Sequence, residues 1–118
     1  MEFSLVTVHV KDMDKSIEFY NGALGMDIVS RREGGRNQLC FLGKEGQPQI
    51  ELVSGSGDEE VIYSGFSIGF YVDSTDAAVK QLESKGYAVH SSSSPAPTVR
   101  ITHFLDPNGI TIALIETL

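Results

Sequence analysis

The side chains able to do chemistry are few. Three histidines, His9, His90 and His103, can move protons near neutral pH or hold a metal. The single cysteine, Cys40, would act as a nucleophile only beside a base, and the sequence places none near it. In Leu39-Cys40-Phe41 it reads as a small buried hydrophobe. Glu51 stands between Ile50 and Leu52, which strand alternation turns to the opposite face. An unpaired carboxylate there is costly to bury. Glu51 is therefore either a site residue, with burial raising its pKa towards that of a base, or a rim residue in water. His9 alternates with Leu5 and Thr7 on one strand face. It reads as a pocket-lining hydrogen-bonding or acid/base group, with a metal ligand and a rim histidine as the other readings.

Other residues carry weaker signals. His103 precedes Phe104-Leu105, and alternation alone does not say which way it points; a surface or core-edge role is expected. Arg36 and Arg100 could meet an anionic substrate, but exposed sheet-edge charges are the expected reading. Phe66 and Phe70 share the spacing of one strand face and are expected to pack in the core. Tyr71 is expected opposite them, and Tyr63 could stack on a flat ligand.

Composition bounds these possibilities. The chain has 118 residues, 41% of them hydrophobic and 21% charged, which is one domain's worth of sequence with a real core. Its net charge of −7 argues against a nucleic-acid surface and suits a neutral or cationic ligand. One cysteine allows no internal disulfide. No apolar run approaches the ~20 residues of a membrane span. The opening Met1-Glu2-Phe3-Ser4 does not look like a signal peptide, so the cytoplasm is the expected compartment.

The elements that must position these residues occur twice. VHVKDMDKSIEFYNGALGMDIV (8–29) resembles FYVDSTDAAVKQLESKGYAV (70–89), and FLGKEGQPQIELV (41–53) resembles FLDPNGITIALIE (104–116). The offsets are 61 to 63 residues throughout. Each copy, about 3–54 and 65–116, predicts a strand, a helix and three strands. In the first copy the strands are expected at 3–10, 26–32, 37–43 and 48–54. Asp12 or Asp14 caps the helix and Gly25 stops it. In the second, strands are expected at 65–72, 87–90, 98–105 and 110–116, with a helix over 74–85 stopped by Gly86. Asp106-Pro107-Asn108-Gly109 predicts a tight turn. Ser54–Ser64 reads as a solvated linker. Ser91–Pro97 reads as a mobile surface loop, with a lid over a pocket as the other possibility.

The doubled βαβββ unit, the opening V-x-V-x-D-x-x-x-S-I-x-F-Y with its L-G-M, and the closing F-x-D-P-N-G-x-x-I-x-L-I-E resemble the vicinal oxygen chelate superfamily. That group holds glyoxalase I, bleomycin-resistance proteins, extradiol dioxygenases, fosfomycin-resistance enzymes and methylmalonyl-CoA epimerase. The resemblance spans about residues 3–116. It implies an α+β fold in which two curled mixed sheets surround a cleft within a single 118-residue domain. In the metal enzymes of the family, the first and last strands of each half supply ligands, usually His and Glu. The metal acts there as a Lewis acid beside a carboxylate base.

Carried onto this chain from the pattern of bacterial glyoxalase I, the four ligand places fall at Leu5, Glu51, Ser67 and Ala113. The repeat agrees: Leu5 and Ser67 are 62 residues apart, as are Glu51 and Ala113. Leucine and alanine cannot ligate and serine ligates poorly, whereas a catalytic transition-metal site needs about three protein ligands. Sliding the first strand would bring Thr7 or His9 to the ligand place but breaks the Val10-x-Asp12 match.

The resulting expectation is a protein that binds a small organic molecule in its cleft with no cofactor and no catalytic metal. Leu5, Thr7, His9, Glu51, Ser67 and Ala113 would line the site, with Glu51 as the candidate base. The alternative is a glyoxalase I-like (lactoylglutathione lyase-like) enzyme, or a related lyase, epimerase or dioxygenase, whose divalent metal sits in a rebuilt site using Glu51 and His9. A decayed regulatory subunit is a third reading. The resemblance also implies a homodimer; nucleic acid and membrane partners are not expected.

Overall fold

Val6, Val8 and Val10 alternate with Leu5, Thr7 and His9, and the alternation builds the first strand. Val8 and Val10 are buried while Leu5, Thr7 and His9 are exposed. The computed structural model describes residues 1–34, 37–55 and 61–118. Within them the chain forms two compact units, Met1–Val61 and Ile62–Leu118. Arg36 and part of the expected linker, residues 56–60, lie outside the described residues.

The first unit is a four-stranded mixed sheet with one helix. Its strands are β1 (Leu5–His9), β2 (Ile28–Arg32), β3 (Gln38–Leu42) and β4 (Gln49–Ser54), in the order β1-β4-β3-β2. β1 runs parallel to β4; the other pairs are antiparallel. Cys40, Leu42, Ile50 and Leu52 all point from the sheet into the core. The helix α1 (Met13–Ile17) continues as a π-helical turn over Glu18–Ala23. Asp12 caps it by accepting the Lys15 N–H at 3.1 Å. The widened turn, with the Leu24 N–H bonded to the Phe19 carbonyl, replaces the regular helix expected there. Phe19 and Tyr20 are adjacent in sequence yet both fully buried, edge to face at 5.1 Å. Gly25 ends the segment with φ +77°, a conformation that favours glycine.

The second unit repeats this order. Its strands are β5 (Ser67–Tyr71), β6 (Ser91–Ala96), β7 (Val99–Leu105) and β8 (Thr111–Thr117), ordered β5-β8-β7-β6, and its helix is α2 (Thr75–Ser84). The α+β class and the pair of four-stranded mixed sheets are those expected, and neither sheet closes on itself. The register repeats as well: Thr7 pairs with Glu51 in β1/β4, and Gly69 with Ala113 in β5/β8, each residue 62 positions from its counterpart.

One element was misplaced. The sequence predicts a strand at 87–90 and a mobile loop at Ser91–Pro97, but the strand is Ser91–Ala96, bonded to β7. It is the edge strand of its sheet, where Pro95 lacks a donor without breaking an interior ladder. The register shifts between Ser93 and Ala96, as a bulge would require. Neither the loop nor the lid reading of this segment survives. Phe66 departs from expectation too: it precedes β5 and is 44% exposed, stacked edge to face on Tyr63. Phe70, within β5, is half-buried.

A contact the sequence did not announce anchors α2. The Glu116 carboxylate on β8 accepts the Thr75 backbone N–H, and also the Thr75 hydroxyl at 2.9 Å. A carboxylate at a helix N-terminus is favoured by the unpaired N–H groups there. The Thr75 backbone donor, then its hydroxyl, hold the Glu116 pKa below the ordinary glutamate range, and Arg100 adds to the effect. Such a group stabilises the fold fully above the unfolded carboxyl pKa of about 4.3, and the contribution is lost as pH falls through the folded pKa. Urea unfolding should therefore find Glu116→Gln less stable than the parent at pH 7, with the gap narrowing at pH 3. A gap that does not change with pH would show that the Glu116 charge does not matter.

Candidate functional site

Each sheet has one face against its helix and one opposite, and the residues singled out from the sequence sort by face. In the first unit, the opposite face carries Leu5, Thr7 and His9 of β1, Gln49 and Glu51 of β4, and Phe41 of β3, placed there by register and alternation. Glu51 lies between two register partners, Thr7 on one side and Phe41 on the other. The Thr7 hydroxyl donates to Glu51 Oε1 at 2.7 Å. Glu51 is half-buried, between the two states foreseen for it. His9 pairs with Val53, one step along from Thr7 and Glu51. Beside this row lies a cavity of about 390 Å3, walled by Phe3, Leu5, Phe41, Pro48 and Gln49 among others. Its size is within the range of small-molecule pockets, about 300–1,000 Å3.

Cys40 lies on the helix-facing side, fully buried, and burial pushes its thiol pKa up, as its packing role requires. Its register neighbour Arg31 bonds Asp14 of α1 at 2.9 Å, a tie between helix and sheet.

In the second unit, Ser67, Gly69 and Tyr71 of β5 share the face opposite α2 with Ala113 of β8 and His103 of β7. The orientation of His103, open in the sequence, follows from its neighbours: Thr102 and Phe104 are buried towards the helix, so His103 points the other way. It pairs directly with Ala113, and its Nδ1 lies 3.1 Å from the Ser91 hydroxyl. Tyr71 lies opposite Phe70, as expected, and is 85% exposed. Arg100 is not a sheet-edge charge. β7 is an interior strand, and the Arg100 guanidinium reaches Asp76 of α2 at 3.7 Å, bracing that helix.

The places to which the resemblance carries the family's metal ligands do not together suit a metal. Leu5 and Ala113 have no donor atom and Ser67 offers a neutral hydroxyl, which leaves the Glu51 carboxylate as the one good donor of the four. Among the described residues, no three His, Cys, Asp or Glu side chains gather as ligands would. The sequence did not reveal the cavity wall. In the sequence Phe41 is a repeat match to Phe104, and the burial expected of its neighbour Cys40 is the signal that would have turned it to the other face.

The chain belongs to the glyoxalase/bleomycin resistance protein/dioxygenase superfamily, whose family model matches residues 3–114. It is 32% identical over 119 residues to a probable lactoylglutathione lyase of Synechocystis, covering 93% of this chain and 91% of that protein. A probable lactoylglutathione lyase of Vibrio cholerae is also 32% identical, over 92% of this chain and 86% of its own. Among solved structures, glyoxalase I of Leishmania major superposes with a TM-score of 0.82 at 20% identity, covering 98% of this chain and 86% of that one. TnmS3, an antibiotic binding protein of a Streptomyces species, gives 0.78 at 23% identity, covering 100% and 97%. At these identities the two structures share the fold. No helix among the described residues is long and apolar enough to cross a membrane.

Proposed function

We propose that this chain binds a small organic molecule against a sheet face opposite its helix, without the catalytic metal of its metal-dependent relatives. What carries the reading is that Leu5 and Ala113, two of the places where the family resemblance puts ligands, have no donor atom. Leu5, Thr7, His9 and Glu51 line the first face, and Ser67 and Ala113 the second. The same fold serves TnmS3, an antibiotic binding protein, so small-molecule binding is within its repertoire. The reading includes a homodimer, as the family resemblance implies.

A second reading has support in the two relatives named probable lactoylglutathione lyases. In it, Glu51 and His9 hold a metal in a rebuilt site, and Glu51 or a neighbour acts as the base. Native mass spectrometry of protein purified from cells supplied with Ni2+, Zn2+ and Fe2+ separates the two. The first reading expects a dimer mass with no stoichiometric metal. One metal per chain, lost in both Glu51→Ala and His9→Ala, would establish the second in its place. A monomer at micromolar concentration would remove the dimer.

A further inference from the structure

We infer that the pocket beside Glu51 selects organic cations: an ammonium group with an apolar body about one aromatic ring in size. The inference rests on the small-molecule reading above and specifies its ligand. Three features of the first unit carry it.

The first is charge. Glu51 is half-buried, its partner among the described residues is the neutral Thr7 hydroxyl, and no Lys or Arg among them is ion-paired with it. A hydroxyl donor leaves the carboxylate's negative charge in place and engages one of its two oxygens. The charged residue in the cavity wall is also acidic, Glu2. Arg32, on the outer strand β2, pairs with Leu39 and stands two strands from Glu51, about 10 Å by sheet spacing alone.

The second is the aromatic ring. Phe41 is the direct cross-strand partner of Glu51 and also walls the cavity. Directly paired residues place their Cβ atoms about 5 Å apart, so one ammonium can face the carboxylate and the ring together. Rings attract cations through their negative faces, and neither group attracts an anion.

The third is the division of the wall. Phe3, Leu5, Phe41 and Pro48 are apolar. Gln49 lies two residues before Glu51 on the same strand face, and its side-chain N–H donates to the Lys44 carbonyl at 3.1 Å. That bond leaves the Gln49 amide oxygen as an acceptor. The Gln49 oxygen and the Glu2 carboxylate therefore offer acceptors to an N–H donor beside an apolar recess, in a wall that also holds the Ser4 hydroxyl and the Gln47 amide.

The test uses three probes of one shape on the full chain at pH 7: 2-phenylethylammonium, 2-phenylethanol and 3-phenylpropionate, with binding followed by NMR titration. The ammonium should bind at least about tenfold more tightly than the alcohol, a difference of about 1.4 kcal/mol, and the carboxylate more weakly than both. In Glu51→Gln the preference for the ammonium over the alcohol should vanish. Phe41→Leu should reduce the preference and keep the apolar wall. Equal binding of all three probes, or a preference that survives Glu51→Gln, overturns cation selection while leaving small-molecule binding intact. Absence of binding by every probe also overturns the inference. A metal held by Glu51 would overturn the underlying reading instead, and native mass spectrometry detects that separately.

Discussion

Phe104→Ala should destabilise the protein by about 3–5 kcal/mol, the range for truncating a fully buried aromatic side chain. Phe104 is fully buried on the interior strand β7, and its register partner on β8, Ile112, is fully buried too. Truncation removes the ring's contacts and leaves a void that close-packed neighbours fill only in part. A domain of this size has about 5–15 kcal/mol in total, so the variant should unfold at a much lower urea midpoint with an unchanged slope. Phe66→Ala is the internal comparison. That ring is 44% exposed and should cost well under half as much. Similar losses at the two positions would contradict the burial that distinguishes them.

Asp106→Ala should cost about 2–4 kcal/mol through hydrogen bonding rather than packing. The Asp106 carboxylate accepts the backbone N–H groups of Asn108 and Ile110, each at 2.8 Å, and the Asn108 side-chain amide at 3.0 Å. Asp106 is 5% exposed and Ile110 is buried beside it. Removing the carboxylate strands a buried N–H, which costs about 1–3 kcal/mol by itself, and forfeits charge-assisted bonds worth more than neutral ones. Asp106→Asn keeps one acceptor oxygen and should recover part of the loss. Urea unfolding of the three proteins tests this order. A loss below about 0.5 kcal/mol in Asp106→Ala would mean that the turn is held by its backbone alone.

That turn shows why much of the fold was legible. Asp-Pro-Asn-Gly encodes its geometry locally: proline presets φ, aspartate bonds the amides ahead of it, and Gly109 takes φ +87°. Gly25 and Gly86 stop their helices for the same kind of local reason, both at positive φ. The core-facing strand residues Ile50 and Leu52 followed from period-two alternation. Failures came where the signal is not local. A Ser-rich tract has little strand preference of its own, and Ser91–Ala96 is a strand because β7 offers an edge to pair with. Glu116 reads as one more residue at the chain's end until β8 brings it to the first turn of α2, 41 positions away in sequence.

The candidate site divides in the same way. The absence of donor atoms at Leu5 and Ala113, two of the four places the resemblance assigns to ligands, was determined by the sequence alone, because leucine and alanine have none in any conformation. The doubled βαβββ order was legible too, since repeated spacing survives without coordinates. Only the tertiary structure decided that Thr7 and Glu51 share a hydrogen bond, that Phe41 on the neighbouring strand faces Glu51, and that His103 points away from α2 beside Ala113. Each depends on sheet register, and a slip of one residue would turn every side chain of a strand to its other face.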